Sequence, residues 1–264
     1  PFSFQGEEFL AGVDFAYPNS KKVGGLASGA QAQGGNAMYL GDKIYNSGLI
    51  GIALSGDVEV DTIVAQGCRP IGEPMQITQC EHNLLKELGG KPPLEVLQEL
   101  NGTLSDEDKK LIQSSLFLGI EMDPMKDNPQ QGDFLIRNLM GVDRESGAVA
   151  IGALLRNGQL VQFHLRDKKM SAEDLDVMLT RYLNQGNAEN AKGALLFSCL
   201  GRGEYLYGKP NHDTDMFQGK LGKIPLGGFF CNGEIGPVGK TTFLHGYTSS
   251  FGIFRSARRG ADEK

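Results

Sequence analysis

The residues best suited to chemistry lie where predicted strands run into glycine-rich turns. Residues 197–203 read FSCLGRG, which sets the Cys199 thiol and the Arg202 guanidinium beside a turn that contains Gly201 and Gly203. Backbone N–H groups in such a turn favour an anion, and arginine binds a carboxylate through two parallel hydrogen bonds. These residues therefore predict an anion site. The alternative is that the glycines shape a turn and Arg202 forms a structural ion pair.

A second candidate segment, residues 231–237, reads CNGEIGP. Its glycines allow a ligand or another part of the backbone to approach closely, next to the side chains of Asn232 and Glu234. A carboxylate at Glu234 would accept an ammonium group, so Glu234 and Arg202 together match the charges of an amino acid. The alternative is that these two side chains pair with each other. Of these two alternatives, we predict the ligand site.

Three further polar residues are assigned to the same predicted site. His245 and Tyr247 are two residues apart on a predicted final strand, and they should therefore point to one face. Ser28 occupies the corresponding place in an earlier Gly-Gly segment, residues 22–29. By contrast, His164 falls on the polar side of an alternating strand and is predicted to be solvated.

Two cysteines belong to these segments. Cys199 and Cys231 would be reactive if the charge of Arg202 and oriented N–H groups lowered the thiol pKa. Cysteines at the ends of apolar strands are more often small buried residues, and we expect that here. An enzyme that uses Cys199 as its nucleophile predicts selective alkylation of Cys199 near neutral pH, but no general base is apparent from the sequence.

Spacing argues against several common sites. Gly239-Lys240-Thr241 resembles the end of a phosphate-binding loop, which requires an upstream glycine with four intervening residues. Gly233 and Gly236 leave five and two, so no nucleotide site is predicted. No H-E-x-x-H, C-x-x-C or G-x-S-x-G motif occurs. We therefore predict no metal, no cofactor and no catalytic serine, and a protein that is not an enzyme.

Charge and cysteine content limit the class of protein. The formal net charge of −6 gives no electrostatic basis for binding nucleic acid. Four cysteines without a C-x-x-C pair favour reduced thiols and an intracellular protein, either cytoplasmic or, if a transit peptide has been removed, in the plastid stroma. No apolar run approaches the roughly 20 residues that span a membrane. Because the chain begins with Pro1, we expect a processed form or a piece of a longer protein.

Hydrophobic periodicity and turn residues predict an α+β fold of two related mixed α/β domains, with largely antiparallel sheets flanked by helices. Residues 22–29 and 225–233 repeat one plan, a strand followed by Gly-Gly, two apolar residues and Ser or Cys, which suggests two related halves. The predicted helices cover 7–16, 81–115 in two pieces with Ser105 as a cap, 171–183, and 212–221. The predicted strands cover 49–54 paired with 58–65, 116–122, 134–140, 148–155 paired with 159–166, 194–199, 226–231, and a last strand after residue 240.

Several of these segments resemble the FIST sensory proteins. They are VGGLASG (residues 23–29), GLIGIALSG (48–56), GDFLIRNLMGVD (132–143), FSCLGRG (197–203), and GGFFCNGEIGPVG followed by FLHGYTSS (227–250). Residues 1–79 are similar to the later part of the FIST N-terminal domain, and residues 80–256 to the whole C-terminal domain. Residues 257–264 would then form a flexible tail.

The resemblance implies a sensory module that binds small ligands, amino acids among them, and passes the signal to fused or separate protein partners. Some relatives carry an F-box and recruit substrates for ubiquitination, but no F-box is visible here. The predicted function is therefore a non-catalytic ligand-binding module with a small polar, amino-acid-like ligand and a protein partner. The alternative is an adaptor that docks onto a larger assembly.

Overall fold

The computed structural model describes residues 4–257, which fold into helices and mostly antiparallel strands and confirm the α+β class. The helices are α1 (Gly6–Ala16), α2 (Pro93–Thr103), α3 (Asp106–Ser115), α4 (Lys168–Asn184), α5 (Glu204–Tyr207) and α6 (His212–Leu221). The strands are β1 (Gly24–Gly25), β2 (Met38–Leu40), β3 (Lys43–Tyr45), β4 (Glu59–Ala65), β5 (Cys68–Glu81), β6 (Leu84–Leu88), β7 (Leu116–Glu121), β8 (Phe134–Val142), β9 (Val149–Ile151), β10 (Leu160–Arg166), β11 (Ala191–Cys199), β12 (Leu226–Cys231), β13 (Glu234–Val238), β14 (Thr241–His245) and β15 (Ser249–Arg255).

The chain forms two compact units. One unit combines the residues up to Ala65 with those from Ala172 onward, and the other contains residues 66–171. The predicted domain boundaries at 79/80 and 256/257 stay predictions, and the predicted tail from residue 258 onward lies outside the described residues.

The unit of residues 66–171 is built on a closed barrel with the strand order β10-β5-β6-β9-β8-β7. Val161, Phe163 and Leu165 of β10 point into its apolar core because alternate residues of a strand face the same side. The prediction that His164 is solvated is wrong, since only 1% of this residue is exposed. Its ring packs against Phe134, with centroids 5.2 Å apart, because this face of the strand is also covered.

The other unit contains a four-stranded sheet in the order β12-β11-β15-β4. β11 and β12 are parallel, and the chain passes through α5 and α6 between them, as a parallel pair requires a crossover. Side chains of α4 and α6, among them Leu175, Leu179 and Phe217, pack with Ile63 and Phe251 of the sheet in one apolar core. A three-stranded sheet, β1-β13-β14, completes the elements near the candidate site.

Local signals predicted several elements correctly. Helix α3 begins after Ser105, whose Oγ accepts a hydrogen bond from the N–H of Asp108 at 3.2 Å. Helix α6 and strand β12 have the predicted bounds, and α1 agrees within one residue.

Three predicted elements are wrong because distant strands decide the pairing. Residues 49–54 form no strand and are exposed, since β4 pairs along its whole length with β15 instead. Residues Leu84–Leu88 form β6 and not a helix, because β5 and β9 pair with them in the barrel. The predicted hairpin around residues 156–158 is absent, because the two strands on either side of this turn have other partners. Strand β9 pairs with β6 and β8, whereas strand β10 pairs with β5 and β7.

Candidate functional site

The candidate site lies at the carboxyl ends of the parallel strands β11 and β12. These ends, Cys199 and Cys231, are directly opposite each other in the sheet. The turn of residues 200–203 follows the first strand, and the turn of residues 232–233 follows the second. Loops at the carboxyl ends of neighbouring parallel strands meet at one edge, which is a common location for ligand sites.

The N-terminal Gly-Gly segment reaches the same place. Gly25 of β1 lies opposite Glu234 of β13, and the N–H of Leu26 donates to the carbonyl of Gly233 at 2.9 Å. The N–H of Asn232 donates to Oγ of Ser28 at 2.8 Å, while Ser28 donates to the carbonyl of Leu26 at 2.6 Å. The structure therefore brings Ser28 and Asn232 together from positions that are far apart in sequence.

Arg202 is buried, with its guanidinium held by two partners. Nε donates to Oδ2 of Asp213 at 2.8 Å and Nη2 to Oδ1 at 3.3 Å, while Nη2 also donates to the hydroxyl of Tyr207 at 2.7 Å. The ion pair predicted as an alternative thus exists, but its partner is Asp213 and not Glu234. Nη1 is buried and has no hydrogen-bond partner among the described residues.

The carboxylate of Asp213 is the centre of a hydrogen-bond network. Ser249 donates to its Oδ2 at 2.6 Å, Ser198 Oγ lies 3.4 Å from the same atom, and Nδ1 of His212 lies 2.9 Å from Oδ1. Burial acts to raise the pKa of this carboxyl, but hydrogen bonds with His212 and Arg202 and the charge of Arg202 hold the pKa well below its usual range. Asp213 therefore stays ionised.

The aromatic residue Tyr207 contacts two members of this network, Arg202 and His212. Its ring stacks on the imidazole of His212 with a centroid separation of 3.5 Å. Sequence reasoning missed Asp213, Tyr207 and Ser198. His212, the first residue of α6, is buried. The sequence signal for this network was the pair His212-Asp213 at the start of a predicted helix, shortly after the arginine segment 197–203.

Glu234 is fully buried and accepts three hydrogen bonds. The N–H of Thr248 donates to Oε2 at 3.1 Å, and the N–H of Gly233 and the thiol of Cys231 donate to Oε1 at 3.2 and 3.6 Å. Burial raises the pKa of the Glu234 carboxyl to about 7, although the hydrogen bonds and the charge of Arg202 act in the opposite direction. Glu234 therefore changes charge close to neutral pH.

The two cysteines are buried, as predicted. Cys199 is 5% exposed and Cys231 is not exposed. Burial, followed by the charge of Glu234, raises the pKa of the Cys231 thiol. Gly25 packs directly on this thiol, since a Cβ at position 25 would lie 2.6 Å from Sγ of Cys231.

His245 and Tyr247 do not share a strand. His245 is the last residue of β14, opposite Glu234, and its Nε2 lies 3.0 Å from the carbonyl oxygen of Gly236. Tyr247 lies in the turn between β14 and β15 with a φ of +64°. The chain reverses here, so the single predicted last strand is two strands, and the expectation of a shared face is wrong.

Comparison with known families identifies the chain. The model of the FIST N domain matches residues 1–91, and the model of the FIST C domain matches residues 93–237. The chain belongs to the FIST family. FIST domains are sensory and signal-transduction modules, so the resemblance found in the sequence is confirmed.

Relatives of this FIST chain include mycobacterial proteins of greater length. It is 38% identical over 254 residues to the uncharacterized protein Rv0628c of Mycobacterium tuberculosis, which covers 96% of this chain and 66% of the relative. For the uncharacterized protein Mb0898c of Mycobacterium bovis the identity is 37%, over 96% of this chain and 65% of the relative. The chain thus spans about two thirds of the length of these relatives. A more distant relative is the F-box/LRR-repeat protein At5g63520 of Arabidopsis thaliana, 25% identical over 142 residues, which are 48% of this chain and 27% of that protein.

Two further observations concern residues 4–257 of the FIST chain. None of the helices there is both long and apolar enough to cross a membrane. Within the same residues, no group of three or more His, Cys, Asp or Glu side chains is arranged to hold a metal ion.

Proposed function

We propose that this FIST chain is a non-catalytic sensory module that binds a small polar ligand with a carboxylate group, such as an amino acid, and signals through a protein partner. The proposed site contains Arg202 and Glu234 together with Ser28, Cys199, Gly201, Gly203, Asn232, His245 and Tyr247. Its position at the carboxyl ends of β11 and β12 supports this assignment.

The observation that carries the proposal is the unpaired N–H group of Arg202. Its Nη1 is buried without an acceptor in the described part of the chain. A buried donor that lacks a partner costs about 1–3 kcal/mol, so a bound carboxylate oxygen at this position would recover that free energy. Glu234, whose pKa lies near neutrality, would supply the negative charge for an ammonium group.

A ligand can reach Arg202 only if the segment that covers it moves. α5 is a single turn between Gly203 and Gly208, whose φ angles are +68° and +70°. Its last residue, Tyr207, contacts the guanidinium of Arg202. Short segments bounded by conformationally permissive residues act as hinges in many binding proteins. We assign α5 as the cover of the site.

Thermal denaturation with a panel of amino acids, and of amines and amides that lack the carboxylate, tests this function. A ligand at 100 times its Kd stabilises by about 2.7 kcal/mol, which would raise the Tm by roughly 5 °C. Arg202→Lys keeps a positive charge for Asp213 but removes Nη1, and it should abolish the shift. Arg255→Lys, in the partly buried ion pair with Asp61, is the matched control and should retain it.

Two outcomes would contradict the proposal. One is that no carboxylate compound raises the Tm of the unmodified chain. The other is that Arg202→Lys responds as strongly as Arg255→Lys, because the ligand would then not use the unpaired N–H group.

An adaptor function is the second candidate, and exposed apolar side chains favour it. Residues 39–54 expose a set of large apolar side chains, which are Tyr39, Leu40, Ile44, Tyr45, Leu49, Ile50, Ile52 and Leu54. Clusters of exposed apolar residues mark interaction surfaces. Replacing Ile44 and Ile52, which are 62% and 88% exposed, by Ser should abolish co-purification with a larger assembly and leave the Tm unchanged. Retained co-purification would exclude this surface.

A further inference from the structure

The cysteines at the candidate site form a pair that is independent of any ligand. Cys199 of β11 and Cys231 of β12 are register partners in a parallel pair of strands. Neighbouring strands lie about 4.8 Å apart, and register partners project to the same face of the sheet. This spacing falls within the Cα separation of about 4.4–6.8 Å that a disulfide requires. The remaining cysteines, Cys68 and Cys80, have Arg166 and Leu85 as register partners.

The Cys231 thiol has a proton acceptor in contact with it. Its Sγ donates to Oε1 of Glu234 at 3.6 Å, and both residues are fully buried. Burial raises the pKa of the Glu234 carboxyl to about 7 and raises the pKa of the Cys231 thiol as well. Cys231 is therefore a thiol at rest, and its sulfur becomes a nucleophile only when the proton passes to the carboxylate.

Cys199 lies in a different electrostatic environment. Burial acts to lower the pKa of the Arg202 guanidinium, whereas the charges of Asp213, Tyr207 and Cys199 raise it. Cys199 therefore lies within electrostatic range of a buried cation, whereas Cys231 contacts a carboxylate. The two sulfurs thus differ in the way that an attacking and a resolving cysteine differ.

We propose that Cys199 and Cys231 are a redox-active dithiol that a peroxide converts to a disulfide, with Glu234 as the base for Cys231. The thiolate of Cys199 attacks one peroxide oxygen, the O–O bond breaks, and the other oxygen leaves as water or an alcohol after protonation. Cys199 is then a sulfenic acid. The sulfur of Cys231 attacks the Cys199 sulfur as its proton passes to Glu234, the S–S bond forms, and the S–O bond breaks. The departing hydroxide takes the proton from Glu234 and leaves as water.

The electron count of this reaction balances. The two thiols lose two electrons and two protons, and the peroxide gains both. A dithiol reductant reverses the reaction by thiol–disulfide exchange. Oxidation would remove the hydrogen bond from Cys231 to Glu234 and would link the ends of the two strands that carry the turns of the site.

Mass spectrometry of the full chain after exposure to hydrogen peroxide tests the proposal. We expect the intact mass to fall by about 2 Da through the loss of two hydrogens, and peptide mapping after alkylation to show a crosslink between Cys199 and Cys231. Cys80→Ser, which changes a cysteine outside the pair, should leave the crosslink unaffected. Cys231→Ser should prevent the crosslink and leave Cys199 as a sulfenic acid that a cyclic 1,3-dione traps.

A second variant separates the role of Glu234 from a merely structural one. Glu234→Gln should slow formation of the disulfide at pH 7 by about tenfold or more, since a general base is lost. The rate should rise with pH through about 7 in the unmodified chain, and this rise should be absent in the variant. The charged and titratable groups that face Glu234 are Cys231, Arg202 and His245, and all three are unchanged in this comparison.

Three results would overturn the proposal. If peroxide oxidises Cys80 but does not link Cys199 to Cys231, the proposed redox-active dithiol is excluded. Equal rates and pH profiles for Glu234→Gln and the unmodified chain would exclude the base. Circular dichroism shows whether Cys231→Ser folds, and Cys231→Ala replaces it if it does not. An absence of trapped sulfenic acid in the folded variant would exclude Cys199 as the attacking group. The ligand screen requires no oxidant, so each proposal can fail while the other stands.

Discussion

The most informative single perturbation is Glu234→Gln, because it removes a buried charge that depends on pH. The ordinary pKa of a glutamate carboxyl is 4.5, and burial raises the pKa of Glu234 in the folded chain to about 7. An acid whose pKa is raised by folding contributes stability below its unfolded pKa, and this contribution is lost as pH rises through the folded pKa. Glu234 should therefore destabilise the folded chain progressively between pH 4.5 and about 7.

The expected magnitude follows from the width of that interval. At roughly 1.4 kcal/mol per pH unit, the loss reaches about 3 kcal/mol at neutral pH. The glutamine variant cannot ionise, so its stability should lack this decline. It has one acceptor oxygen for the N–H groups of Gly233 and Thr248, which should cost about 1 kcal/mol at every pH. The variant should thus be less stable than the parent at pH 4.5 and more stable at pH 7.5.

Urea denaturation followed by circular dichroism between pH 4.5 and 7.5 measures this difference. The chain contains no tryptophan, so a secondary-structure signal is the appropriate probe. Burial lowers the pKa of His164 from 6.5 to about 4, so this residue removes stability as pH falls over an overlapping range. His164 is present in both proteins, and the difference between them isolates Glu234. Glu189→Gln changes an exposed residue of the same unit and is the control. Its free energy of unfolding should vary with pH as that of the parent does.

A parallel pH dependence in Glu234→Gln and the parent would refute the reasoning. The carboxyl would then not carry a pKa near neutrality, and the role of Glu234 as a base would lose its basis. A crossover of the two stability curves between pH 4.5 and 7.5 would support it.

Two further substitutions test the packing around the site. Asp213→Asn should lower the free energy of unfolding by about 3–5 kcal/mol in urea, because it leaves the buried guanidinium of Arg202 without its counter-charge. Asp176→Asn, in a half-exposed pair with Lys220, should cost less than about 1 kcal/mol, and equal losses would contradict the argument. Gly228→Ala should cost more than about 2 kcal/mol, since φ is +147° and a Cβ would overlap the backbone carbonyl of Leu196. The neighbouring Gly227→Ala, whose Cβ would meet only a side-chain atom at 3.8 Å, should be tolerated in the same denaturation assay, and a similar loss there would refute the steric explanation.

The elements that local sequence determines were predicted from local signals. Ser105 caps α3 through a hydrogen bond to a residue three positions away, and the apolar run of β12 ends at Cys231 before a glycine turn. The cap depends on neighbouring residues alone, so a local pattern is enough to predict it. The apolar segment 49–54 carries an equally strong strand signal, yet it forms no strand because β4 takes β15 as its partner.

The same distinction applies to the candidate site. The sequence by itself determined that one strand ends in a thiol and is followed by an arginine, that another ends in a thiol and is followed by a glutamate, and that a glycine turn follows each strand. Only the tertiary structure decided that Arg202 pairs with Asp213, that Glu234 is buried against Cys231, and that Cys199 and Cys231 are register partners. Local pattern cannot specify these contacts, because the register of a parallel strand pair is set by side-chain packing across the whole sheet and a carboxylate acquires its pKa from burial.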